Sequence, residues 1–181
     1  PERHRDFGTA DVSLLLRSSG HVGGDLVGFY PVCENRIGLY AIDVSGHGIS
    51  SALMTARLAG YLSSSAPDQN VALKMCDDGS YMSRPPAEVI ERLNRLVLEE
   101  METEHYFTLL LADVDLTTGK IFNDPLNAIA YQQTRNSFLL APVPYTKTIS
   151  DQVGEGGFKI GIDRCIHFAA LFRVTWNIEL S

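Results

Sequence analysis

The chain has 181 residues, of which 45% are hydrophobic and 20% charged, with 22 acidic against 15 basic side chains and a net charge of −7. Length and balance point to one globular domain, residues 1–181, with a core of its own, and exclude disorder throughout. The acidic surplus without a clustered Lys/Arg stripe excludes a nucleic-acid binder and a protein of anionic membrane surfaces, because neutralising phosphates supplies most of that affinity.

In chain order, residues 11–17 (DVSLLLR) read as a strand, and Gly20-His21-Val22-Gly23-Gly24 interrupts it. Residues 26–32 (LVGFYPV) and 36–44 (RIGLYAIDV) are two apolar runs separated by Cys33-Glu34-Asn35, which predicts a hairpin. Pro31 cannot donate a ladder hydrogen bond, so it predicts an edge position or a bulge. Ile49, Ala52, Leu53, Ala56, Ala59 and Gly60 recur at helical spacing and predict a helix over 50–63. Residues 66–84 are polar, with Asp77-Asp78-Gly79 as turn chemistry, and read as a mobile surface excursion. Pro85-Pro86 opens a second helix. Its apolar stripe is Val89, Ile90, Leu93, Leu96, Val97 and Met101, with Glu88, Glu91, Arg92, Arg95 and Glu99 opposite. Residues 106–114 (YFTLLLADV) read as a strand, 115–119 as its turn and 120–122 as the start of a return strand. Four weaker runs, at 128–132, 138–143, 158–162 and 165–176, are expected strands. Hairpins around two central helices predict an α+β fold with antiparallel sheet.

The segment richest in chemistry is Gly23-Gly24-Asp25 together with Asp43-Val44-Ser45-Gly46-His47-Gly48. With Cys33-Glu34-Asn35 as the loop, Val32 faces Arg36 and, counting back, Asp25 faces Asp43. Directly opposed side chains in an antiparallel pair have Cβ atoms about 4.5–5.5 Å apart. Two carboxylates that close repel, and a hard divalent cation between them removes the repulsion. A one-residue change of register would put them on opposite faces. Gly23-Gly24 lets backbone approach a ligand, and Gly46-His47-Gly48 precedes a helix whose N–H groups favour an anion. A metal beside an anion-attracting helix end suits phosphate-ester hydrolysis. A turn and an ordinary strand-to-helix loop are the competing readings of the two motifs.

VGGDLVGFYPV, followed by GLYAIDVSGHGISSALMTARLAGYL and then NRLVLEEMETEHYFTLLLADVDLTTGKI, resembles the PPM-type metal-dependent serine/threonine phosphatases. More narrowly it resembles their bacterial SpoIIE/RsbU-like branch of sporulation and stress-response sigma-factor regulators. The resemblance covers residues 10–121, about two thirds of the chain. It implies an αββα sandwich of two antiparallel sheets flanked by helices. It implies Asp25 and Asp43 as acidic ligands of a two-metal Mn²⁺ or Mg²⁺ site, Asp25 mainly through water and Asp43 bridging, with the Val44 carbonyl completing one sphere. Gly46 and Gly48 would shape the loop that meets the substrate phosphate, with His21 beside it. His47 stands as a candidate general acid or as a cap of the loop. The helices over 50–63 and 87–101 match the pair that in this branch repositions the metal loop. The implied substrate is a phosphorylated regulatory protein such as an anti-sigma factor antagonist. An upstream receiver or sensor domain is the implied controller, and a homodimer is a further expected partnership.

Beyond residue 120 the chain departs from that pattern. FNDPLNAIAYQQ stands where the family has Gly-His-Pro, and the late Ser-Asp-Gly and final Asp are missing, so the fold reads as incomplete towards the C-terminus. Asp151 and Asp163 are spare acids there. The alternative reading is therefore a phosphatase-like binding module without turnover. Glu102, Glu104 and His105 read as a solvated helix end and strand entry, and Phe172 and Trp176 as core. Cys33, Cys76 and Cys165 are odd in number and lack a C-x-x-C pair, so they read as reduced thiols of a cytoplasmic protein. No apolar run approaches the roughly 18–20 residues of a membrane span. The polar opening reads as a cut inside a longer signalling protein, of which this domain is the C-terminal portion.

Overall fold

The structure is a computed structural model. It describes residues 3–8, 10–17, 23–101, 103 and 105–118, and the strands at 129–134, 137–142, 157–165 and 168–176. The chain opens with β1 (His4–Asp6), a short polar edge strand, and apolar runs then give β2 (Ala10–Arg17), β3 (Asp25–Cys33) and β4 (Arg36–Val44), followed by α1 (Ile49–Tyr61). Then come β5 (Leu73–Met75), β6 (Tyr81–Ser83), α2 (Pro86–Glu100), β7 (Phe107–Asp115), β8 (Ile129–Thr134), β9 (Ser137–Pro142), β10 (Gly157–Cys165) and β11 (Phe168–Trp176). The return strand expected at 120–122 lies outside the described residues.

Two antiparallel sheets carry the fold. One has the order β1-β2-β11-β10, the other β3-β4-β7. Period-two alternation sorts the side chains of the second sheet. Val27, Phe29, Ile37, Leu39, Ala41, Ala112 and Val114 face Ala10, Val12 and Leu14 of β2 and form the core between the sheets. Leu26, Tyr30, Tyr40, Ile42, Val44, Phe107, Leu109 and Leu111 face the helices and form a second core with Met54, Leu58, Val89, Ile90, Leu93 and Val97. The molecule is thus the expected α+β sandwich of two antiparallel sheets. Both helices lie on the outer face of the β3-β4-β7 sheet. Among the described residues no helix covers the other sheet.

The hairpin is built differently from the sequence reading, and the difference cancels. The turn is the two residues Glu34 and Asn35, with Cys33 opposite Arg36. A bulge between Pro31 and Cys33 then absorbs one residue, so Asp25 still stands opposite Asp43. Pro31 is on an edge strand and at the bulge, both places where a missing N–H costs nothing. At the open end of the hairpin, Val44 N–H donates to the Gly24 carbonyl at 3.1 Å. Glycine is required there, because a Cβ on residue 24 would stand 2.3 Å from the Val44 carbonyl oxygen.

Both helices form where expected, but they seat differently. In α2, Val89, Ile90, Leu93 and Val97 are buried, as the stripe predicts. In α1 the buried side chains are Ser51, Met54, Thr55 and Leu58. Ile49 and Leu53 of the recurring apolar set are 76% and 67% exposed. Residues 66–84 run over the surface as expected but carry regular structure and an anchor in the core. Asn70, Ala72 and Leu73 are buried, β5 pairs with β6, and Arg84 donates from its backbone to the Ala72 carbonyl and from Nε to that of Leu73. Asp77-Asp78-Gly79 makes the expected turn, with Asp78 accepting from Ser80.

Leu39 is fully buried between the sheets, so Leu39→Ala is expected to lower unfolding stability by about 2–5 kcal/mol in a urea titration. Gly24→Ala is expected to cost about 1–3 kcal/mol by the same measurement, because position 24 is buried and the Val44 backbone must give way. A Gly24→Ala variant as stable as the wild type would remove the close approach from the account.

Candidate functional site

Asp25 begins β3 and Asp43 is the penultimate residue of β4, and they are direct cross-strand partners. Asp43 in turn pairs with Thr108 of β7. Alternation puts all three on the face that carries Val27, Phe29, Leu39 and Ala41, the face turned towards the other sheet. They form one row across three strands, at the end of the sandwich where its apolar filling stops. Each is half-buried. Thr108 is the member that sequence reasoning missed. The hairpin loop fixes the β3–β4 pairing by counting, whereas β4 and β7 are joined through two helices and a hairpin, and no count crosses that distance.

The loop after Asp43 is held from two sides. Ser45 N–H donates to the Tyr106 carbonyl at 2.8 Å, and Tyr106 N–H donates to Ser45 Oγ at 3.0 Å, extending the β4–β7 pairing past Val44. Gly46 and Gly48 have φ of 84° and 88°, a region that side chains other than glycine rarely enter. Gly48 is the N-cap of α1, and Ser51 Oγ and Ala52 N–H both donate to its carbonyl. The first turn of α1 carries no acidic side chain and no side-chain cap.

His47 is exposed on this loop. The histidine packed against the loop is His105, which the sequence reading treated as a strand-entry residue. Its Nε2 shares a hydrogen bond of 2.7 Å with Ser50 Oγ, and its Cε1 would lie 3.1 Å from a Cβ on Gly46. From the helix side, Thr55 reaches the Gly24 carbonyl at 2.8 Å. Further along, Arg57 and Tyr61 of α1 both donate to Glu100 of α2, at 2.6 and 2.8 Å. Those hydrogen bonds hold the Glu100 carboxyl below the usual carboxylate range.

The donors at the row are oxygens: two carboxylates, the Thr108 hydroxyl and, beside Gly24, the Val44 carbonyl. That set suits Mg²⁺ or Mn²⁺ and not a thiophilic ion. With no Cβ on residue 24, its backbone packs directly against the Val44 carbonyl oxygen. The residues therefore fit a hard divalent ion. Among the described residues no group of three or more His, Cys, Asp or Glu side chains gathers, so two carboxylates are what this part of the chain supplies. Of the remaining sequence candidates, His21, Glu102, Glu104 and Asp151 lie outside the described residues. Asp163 lies in β10 at the irregularity between Ile162 and Cys165, towards the sheet end from which β2 departs for β3.

Three comparisons bear on this arrangement. The Phosphoserine phosphatase RsbP of Bacillus subtilis (strain 168) is 31% identical over 117 residues, which are 65% of this chain and 26% of that protein. This chain therefore spans about a quarter of the curated relative it matches. The phosphatase domain of the cell fate determinant SpoIIE from Bacillus subtilis aligns with a TM-score of 0.42 at 10% identity, over 95% of this chain and 96% of that one. The family model described as Stage II sporulation protein E (SpoIIE) matches residues 34–122, which take in Asp43, the glycine loop, both helices and Thr108. Over residues 34–122 the chain is thus similar to the SpoIIE family, and over 117 residues to the phosphatase RsbP.

Proposed function

We propose that this chain is a metal-dependent phosphoprotein phosphatase domain that hydrolyses phosphoserine or phosphothreonine on a regulatory protein. The observation that carries the reading is the register Asp25↔Asp43, which lines up two carboxylates on the face of the sheet turned towards the other sheet. Asp25, Asp43 and the Val44 carbonyl would hold Mn²⁺ or Mg²⁺. When bound, such an ion supplies an activated water and offsets the charge that develops on phosphorus.

The remaining roles fall to the chain's own groups. The backbone of the Gly46–Gly48 loop and the first N–H groups of α1 orient the phosphate, because unsatisfied donors and the helix dipole point to that corner. His47 is exposed at the rim of the loop, where it can give a proton to the departing serine or threonine oxygen. His21, ahead of the glycine pair, is a second substrate contact. The name of the relative RsbP supports a phosphoserine substrate, and the branch supports a phosphorylated anti-sigma factor antagonist as its bearer. An upstream receiver or sensor domain in a longer signalling protein, pairing of two copies and residence in the cytoplasm belong to the same reading. No helix among the described residues is long and apolar enough to cross a membrane. The reading as a binding module without turnover is the weaker one, since both hairpin acids and the glycine loop are present.

The test is hydrolysis of p-nitrophenyl phosphate and of a phosphoserine peptide with and without Mn²⁺. Activity is expected to vanish with chelator and to return when Mn²⁺ is restored. Asp43→Asn is expected to lower kcat/KM by more than roughly a hundredfold, above the range seen when a group merely behind a metal ligand is lost. Turnover indifferent to chelator and to Asp43→Asn would reject the enzyme.

A further inference from the structure

Thr55 lies one helical turn after Ser51 on α1 and is 6% exposed. Its hydroxyl is 2.9 Å from the Ser51 carbonyl and 2.8 Å from the Gly24 carbonyl. A threonine inside a helix commonly satisfies its hydroxyl on the carbonyl four residues back. Here the same proton has a second acceptor on a different element, 31 residues away in the chain. That acceptor is not spare backbone. The Gly24 carbonyl also takes the Val44 N–H at 3.1 Å, so the start of β3, the end of β4 and α1 meet at one oxygen. Asp25 follows Gly24 directly, and Asp43 precedes Val44 directly.

We propose that Thr55 is a positioning residue for the acid pair. Its hydroxyl fixes the orientation of the Gly24–Asp25 peptide against α1 and so sets the direction in which the Asp25 side chain leaves the turn. The Val44 N–H alone ties Gly24 to its own hairpin. Thr55 ties that corner to the helix layer. The inference rests on the phosphatase reading, because the consequence of misplacing Asp25 is weaker hold on a divalent ion. A packing role is the competing explanation, and the two separate cleanly. Valine keeps the shape of threonine and loses the hydroxyl, whereas serine keeps the hydroxyl and loses the methyl group.

The experiment titrates Mn²⁺ alone into the full chain and its Thr55→Val, Thr55→Ser and Thr55→Ala variants, with free Mn²⁺ followed by electron paramagnetic resonance. Urea unfolding without metal is measured in parallel. Thr55→Val is expected to bind Mn²⁺ about tenfold more weakly, the scale of one hydrogen bond, with Thr55→Ser within about twofold of wild type. Packing predicts the opposite order. Wild-type affinity in Thr55→Val overturns the inference while leaving the phosphatase reading intact. If the valine variant does not fold, the serine and alanine variants decide: weak binding by alanine with rescue by serine supports the inference, and equal binding overturns it. A wild-type chain that takes up no Mn²⁺ overturns the phosphatase reading and the inference together.

Discussion

The site depends on a single constraint, the strand register that stands Asp25 opposite Asp43. A slip of one residue would turn one of the two acids to the other face of the sheet and the whole apolar set of its strand with it. The register is held at three places. The bulge at Pro31 takes up the residue that the tight Glu34-Asn35 turn leaves over. The Val27, Phe29, Leu39 and Ala41 side chains must face β2 to be buried. At the open end, Gly24 and Val44 approach so closely that no side chain fits on residue 24. The acids are therefore placed by apolar burial and backbone packing, not by attraction between them, since like charges about 5 Å apart disfavour each other.

Much of this was legible in the sequence, and the reason is local. Alternation along residues 26–32 and 36–44 defines two strands, and their short separation defines the pairing. The count of three loop residues misjudged the turn but reached the right partner, because the bulge returned the missing residue. The stripe of α2 was equally plain, since Val89, Ile90, Leu93 and Val97 repeat cleanly against a charged face. What stayed hidden depends on distant partners. Thr108 joins the row through a strand some 65 residues beyond Asp43, placed there by packing of the helices between them. His105 meets Ser50 and Gly46 for the same reason.

The seat of α1 shows why periodicity alone can mislead. Ile49, Leu53 and Ala56 repeat at helical spacing, yet they face outward. The helix instead buries Ser51 and Thr55 beside Met54 and Leu58. Hydroxyls are tolerated under a helix when each finds an acceptor, and both do: Ser51 on the Gly48 carbonyl, Thr55 on those of Ser51 and Gly24. A reading that assigns burial by hydropathy passes over residues whose burial depends on hydrogen bonds to an element it cannot yet place.

That division has a mechanical consequence. α2 is fixed to the sheet by four apolar side chains, and apolar contact is non-directional, so it resists separation more than small sliding. α1 has apolar contact through Met54, Leu58 and the following Leu62 and, from Thr55 at mid-helix, a directional hydrogen bond to the Gly24 carbonyl. Arg57 and Tyr61 add a polar tie to α2 through Glu100, an exposed cluster that solvent weakens. The position of α1 along its own axis is therefore set most sharply where Thr55 meets the Gly24 carbonyl, next to Asp25. Geometry at the acids and seating of the helix are consequently one problem, because the hydrogen bonds that define the first also define the second.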